Sequence, residues 1–77
     1  MFYVIEFQSS ENTGAAIPYA YDNQADAEAK YHELLAVAAK SSVRKHGAIL
    51  ITDDLFTVKH EVYPHIPEAN NEPAQGE

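Results

Sequence analysis

The sequence predicts an α+β fold of order β-β-α-β-β, with one helix packed on a four-stranded, mainly antiparallel sheet. Three observations carry this. From Gln24 to Ser42 the chain is rich in alanine and has no Gly or Pro, which is the composition of a helix. Two segments rich in β-branched and aromatic residues precede it, and two follow. Each pair is split by a short polar turn, so sequence neighbours pair as hairpins on either side of the helix.

The first strand is Phe2-Tyr3-Val4-Ile5-Glu6-Phe7-Gln8-Ser9. Tyr3, Ile5 and Phe7 fall on one face and Phe2, Val4, Glu6 and Gln8 on the other. Ser10-Glu11-Asn12-Thr13-Gly14 is a polar, Gly-ended loop. Ala15–Tyr21 is a weaker second strand. Pro18 cannot donate to a ladder, which places this strand at an edge or at a bulge.

Asp22 or Asn23 is a natural N-cap, because its side-chain oxygen can accept a free amide of the first turn. The helix is expected over roughly Gln24–Val43. Ala27, Tyr31, Leu34, Leu35 and Ala38 share one face by their spacing. Asp26 and Glu28 suit the positive end of the dipole. Lys40, Arg44, Lys45 and His46 suit the negative end, and Gly47 is placed to end the helix in a left-handed conformation.

Ala48-Ile49-Leu50-Ile51-Thr52 is a continuous apolar run, as expected of a central strand covered on both faces. Asp53-Asp54 supplies a turn. Phe56–Tyr63 alternates with period two, which puts Phe56, Val58, His60 and Val62 on one face. From Pro64 the composition changes: three of the four prolines lie here, and Glu68, Glu72 and Glu77 meet no Lys or Arg. The expected organisation is one domain over residues 1–63 and a disordered acidic tail over 64–77, with Ile66 as a possible docking point on a partner.

The charge excludes some functions. The 77 residues carry a net charge of −7 with five Lys and Arg, too few for an extended phosphate-binding face, so direct nucleic-acid binding is not expected. An acidic surface that imitates nucleic acid stays open. There is no cysteine, hence no disulfide and no thiolate zinc site. The N-terminal apolar run is short, lacks a basic flank and is broken by Glu6, so it does not read as a signal peptide. No stretch approaches the ~20 apolar residues of a membrane span. The expected location is the cytoplasm of a host cell, or a virion.

Catalytic chemistry finds no motif. His32, His46, His60 and His65 form no i, i+4 pair and no HExxH, so neither a metal nor another cofactor is expected. Tyr31 beside His32 reads first as a core residue and its margin rather than as acid–base equipment. No serine stands in a GxSxG context, and the glycines are isolated. Lys40, Arg44, Lys45 and His46 make an anion-binding candidate for a nucleotide or phosphate, set against their simpler role at the helix C-terminus. The expectation is a non-enzyme.

The apolar content points elsewhere. One helix covers one face of a four-stranded sheet, and the other face should then read polar. Here both faces of the first strand and both faces of the Ala48–Thr52 run are apolar. The helix is also apolar around Leu34–Ala39. Domains this small bury only about 60% of their unfolded surface and often lean on a partner. Self-association, most simply as a dimer, or docking on another protein resolves the excess. Phe2, Val4, Val37 and Ile66 are the expected interface residues.

The stretch Ala27-Glu28-Ala29-Lys30-Tyr31-His32-Glu33-Leu34-Leu35-Ala36-Val37-Ala38-Ala39-Lys40-Ser41-Ser42-Val43, with His46–Asp53 and the opening Tyr3-Val4-Ile5-Glu6-Phe7-Gln8, resembles small proteins of Firmicutes phages and prophages. The resemblance covers most of residues 2–65. It implies a viral or mobile-element origin and brings no activity with it. Typical members are less basic where this chain has Lys40, Arg44 and Lys45, so a role carried by that segment would differ here. Three functions follow as expectations. The first is inhibition of a host defence or nucleic-acid-binding factor by protein binding. The second is a structural part in a virion or its assembly. The third is binding of a small anion.

Overall fold

The helix forms where helix formers are densest. In the computed structural model, which describes residues 1–65, α1 spans Gln24–Lys40. Asn23 is extended and caps it: its Oδ1 accepts the Asp26 N–H at 2.8 Å, and its Nδ2 donates to Asp26 Oδ2 at 2.9 Å. The helix stops at Lys40, three residues before the expected Val43. There the side chains offer the backbone other partners: Ser41 Oγ accepts the Val43 N–H at 2.9 Å, drawing the chain out of the helical path. Gly47 is therefore not the helix stop.

Four strands complete the chain: β1 (Phe2–Ser9), β2 (Gly14–Tyr21), β3 (Lys45–Thr52) and β4 (Thr57–Pro64). Their order across the sheet is β2-β1-β3-β4, antiparallel throughout. Pro18 lies in edge strand β2, where a missing N–H can face outward without breaking the ladder. β3 begins at Lys45, three residues earlier than its apolar run, because the register to β1 continues through Gln8↔His46 and Ser9↔Lys45. At the other end β4 includes Pro64, and the His65 N–H donates to Arg44 O at 2.6 Å. The strand thus passes the expected boundary at residue 63, and the rest of the expected tail, with Ile66, lies outside the described residues.

Two local features shape the β3–β4 hairpin. Thr52 holds its turn: Oγ1 accepts the N–H groups of Asp54 and Phe56, both at 3.2 Å. Leu55 closes the turn at φ 67°, a left-handed position that costs a non-glycine residue about 1–2 kcal/mol. A register shift at Leu50/Ile51 then inserts one extra residue into β4. Val58 consequently packs against the core, while His60 and Val62 stand opposite Ile49 and Gly47. The single row expected for Phe56, Val58, His60 and Val62 is split by that bulge.

The core lies between α1 and one face of the sheet. Ala27, Tyr31, Leu34, Leu35 and Ala38 come from the helix, as its spacing predicts. Val4, Ala48 and Leu50 come from the sheet, and Phe2, Tyr19, Tyr21, Val58 and Tyr63 close the rim. This corrects the interface expected on β1. Val4 is wholly enclosed, and Phe2 packs beside it.

Candidate functional site

Side chains alternate across a strand, so enclosing Val4 turns Tyr3, Ile5 and Phe7 to the other face. The register carries that parity across the sheet. Tyr3 lies between Ala20 and Ile51; Ile5 lies between Pro18 and Ile49, with His60 next; Phe7 lies between Ala16 and Gly47, with Val62 next. No described element covers this face. Phe7 remains 45% exposed and Val62 57%, where a polar side chain would ordinarily stand.

The carboxylates of the described residues avoid this face. Glu6 and Glu61 have the parity of the helix side, being matched to Ala48. Asp26, Glu28 and Glu33 are on α1, and Glu11, Asp22, Asp53 and Asp54 are in loops and turns. Lys45, at the end row between Ser9 and Pro64, and His60 are its basic side chains among the described residues. The result is an apolar surface, free of acids among the described residues, on an otherwise acidic chain.

Gly47 shows how tightly this face is built. A Cβ there would stand 2.3 Å from Glu61 O and 2.7 Å from Val62 Cα. Only glycine lets β4 approach β3 so closely. Phe7 is its cross-strand neighbour, and Gly47 is buried although it has no side chain of its own. An aromatic beside a strand glycine shields its backbone in this way.

The covered face holds the polar chemistry. His46 Nε2 lies 2.6 Å from Glu6 Oε2, and both side chains are buried. Gln8 Nε2 donates to the same carboxylate oxygen at 3.1 Å. His46 Nδ1 is buried and has no hydrogen-bond partner among the described residues. A buried carboxylate is tolerable when it is paired and hydrogen-bonded, and this one is. Gln8 also borders an open cleft of about 820 Å³ between the β1–β2 loop and the segment after α1. Ser10, Thr13, Ser42 and Arg44 line it, and Arg44 Nη1 faces Glu11 Oε2 across it at 3.7 Å.

The anion-binding candidate does not assemble. Lys40 is in the last helical turn, where it complements the dipole. Arg44 faces the cleft and is paired with Glu11. Lys45 points to the open face, and His46 is locked inside with Glu6. Four residues within a seven-residue stretch thus serve four environments: the helix ends at Lys40, and strand alternation separates Lys45 from His46. Val37 does stand outward, 53% exposed, but among alanines and charged residues on the solvent side of α1.

No protein family, characterised protein or solved structure matches this chain. The surfaces themselves must then carry the functional reading.

Around the core rim the titrating groups respond to burial and to one another. Burial raises the Tyr31 phenol above its ordinary value, with the Glu61 carboxylate adding to it. Glu61 is the first cause for Tyr63, which is also raised. Glu28 is lowered, first by the Gln24 Nε2 donor at 2.8 Å. Tyr31 and His32 meet edge-to-face at 5.4 Å between ring centres, with Tyr31 buried and His32 exposed. None of these groups converges with the cleft. Among the described residues no three His, Asp or Glu side chains gather to hold a metal ion, and no helix is long and apolar enough to cross a membrane.

Sequence reasoning missed Tyr3, Ile5, Phe7 and Val62 as open-face residues, and it left open whether Ile49 and Ile51 or Ala48 and Leu50 turn away from the helix. It identified the surplus of apolar residues and, on β1, assigned it to the wrong parity. The signal that would have corrected it is Glu6 with His46, a polar pair whose members are 40 residues apart.

Proposed function

We propose that this chain is a non-catalytic protein-binding module whose working surface is the open face of its sheet. One observation carries the reading: Tyr3, Ile5, Phe7, Ile49, Ile51 and Val62 form a continuous apolar face with no carboxylate on it among the described residues, on a chain of net charge −7. Apolar faces of this extent mark interaction sites. The scarcity of cations on the same face argues against a nucleic-acid partner.

The phage resemblance gives this reading a biological form. A small acidic protein of a mobile element that binds and inhibits a host factor fits it, and a virion or assembly component is the second form. Binding of a small anion has less support, since Lys40, Arg44, Lys45 and His46 diverge and Arg44 is already paired with Glu11.

The test is site-specific photo-crosslinking in host cells. A photoreactive residue at Val62 should give a discrete protein adduct, and one at Ala29 on the outer side of α1 should not. Equal labelling from both positions, or none from Val62, contradicts the proposal.

A further inference from the structure

Two copies of an acidic chain repel each other unless they meet where carboxylates are absent. The open face is such a place. We infer that its occupant is a second copy of this chain, stacked face to face across Ile5, Phe7, Ile49 and Val62. This rests on the reading of the open face as a binding surface and names the partner.

Self-stacking follows from the chemistry of the face. It carries no alternating charge that would call for an opposite pattern on a different partner. An apolar surface whose Lys45 stands in its end row and whose centre holds no charge among the described residues is complementary to itself, and a two-fold axis brings identical patches together. Among the described residues its acids are on α1, in loops and turns, or at strand positions of helix-side parity (Glu6, Glu61). His60 and Lys45 lie at the β4 side and the end of the face. The segment beyond His65 supplies one strongly apolar residue, Ile66, which is too little to match the face from within the same chain.

Extension through the sheet edges is blocked. β2 carries Pro18, while β4 carries a bulge, Lys59 and Pro64, devices that oppose strand addition. Stacking remains, as in sandwiches whose sheets lie about 10 Å apart at about −30°. Four strands at about 4.8 Å spacing and eight residues at about 3.4 Å rise give a face of roughly 500 Å² per copy. Two copies then cover about 1,000 Å², which reaches the lower bound for a specific interface.

Sedimentation equilibrium of the full chain, from about 1 to 200 μM, reads the association in the range expected of so small an interface. The mass should approach twice the 8.5 kDa chain at the upper end and fall on dilution. Phe7→Glu and Val62→Glu should each hold the chain at monomer mass with an unchanged far-UV spectrum. Phe7 also shields Gly47, so Val62→Glu carries the result if Phe7→Glu fails to fold. A wild-type chain that stays monomeric throughout overturns the inference. So does a dimer that survives both substitutions but dissociates with Val37→Glu. If the wild type is monomeric while the Val62 crosslink captures a different protein, the second copy is excluded and the binding reading stands. If Val62 captures nothing and no dimer forms, both fall.

Discussion

The two faces of one sheet divide the work of this molecule. The face under α1 holds Val4, Ala48 and Leu50 together with the buried Glu6–His46 pair. The open face holds Tyr3, Ile5, Phe7, Ile49, Ile51 and Val62, and none of them is charged. The covered face is thus the more polar of the two in composition. Burial follows from which side the helix can reach, and a carboxylate is admitted there because a histidine meets it. What remains outside is apolar, and none of this chain's own described elements covers it.

That contrast is sharpest in the polar pair. Replacing His46 with Ala leaves the Glu6 carboxyl enclosed with Gln8 alone, and should cost about 3–5 kcal/mol. The double replacement Glu6→Leu/His46→Leu should recover most of that loss. Urea unfolding checks both. A single variant as stable as wild type would mean that the pair is not sealed from water.

Neighbouring residues of β3 give the next largest difference. Leu50→Ala opens a cavity in the core and should cost about 2–5 kcal/mol. Ile49→Ala, one position away, should cost less than half as much in the dissociated chain, measured by denaturation at low concentration. Equal losses would erase the distinction between the faces. Gly47→Ala should cost about 1–3 kcal/mol, because its Cβ meets the β4 backbone at Glu61 and Val62. Hydrogen exchange should show the loss first in the β3–β4 ladder.

The smallest effect is alkaline. The Tyr31 phenol is raised above the ordinary value near 10, chiefly by burial. The folded state therefore favours the neutral phenol. The stability this supplies is fully present below the unfolded value and is lost as pH rises through the folded one. Tyr31→Phe should remove this part of the alkaline sensitivity, seen as a shallower fall in melting temperature above pH 10. An identical alkaline slope in wild type and variant would place the phenol in contact with water.

Much of the fold is legible in the sequence. The α1 face of Ala27, Tyr31, Leu34, Leu35 and Ala38 follows from spacing alone, and Pro18 marks its strand as an edge. The surplus of apolar residues is legible too. Its direction is not. Both parities of β1 are apolar at their first positions, so Glu6 and Gln8 tip the reading toward solvent, and only the distant His46 reverses it. The Leu50/Ile51 bulge is likewise invisible to a period-two count, which is why Val58 changes sides. Gly47 reads as a helix stop because helix-ending and close strand approach both select glycine, and local sequence does not separate the two.

The most direct test watches both faces at once. In a dilution series followed by methyl NMR, concentration-dependent shifts should fall on Ile5, Ile49, Ile51 and Val62, while Leu34, Leu35 and Leu50 stay fixed. Shifts centred on Val37, or none on the open-face methyls as concentration rises, would contradict the pairing of two copies of this chain through the open face.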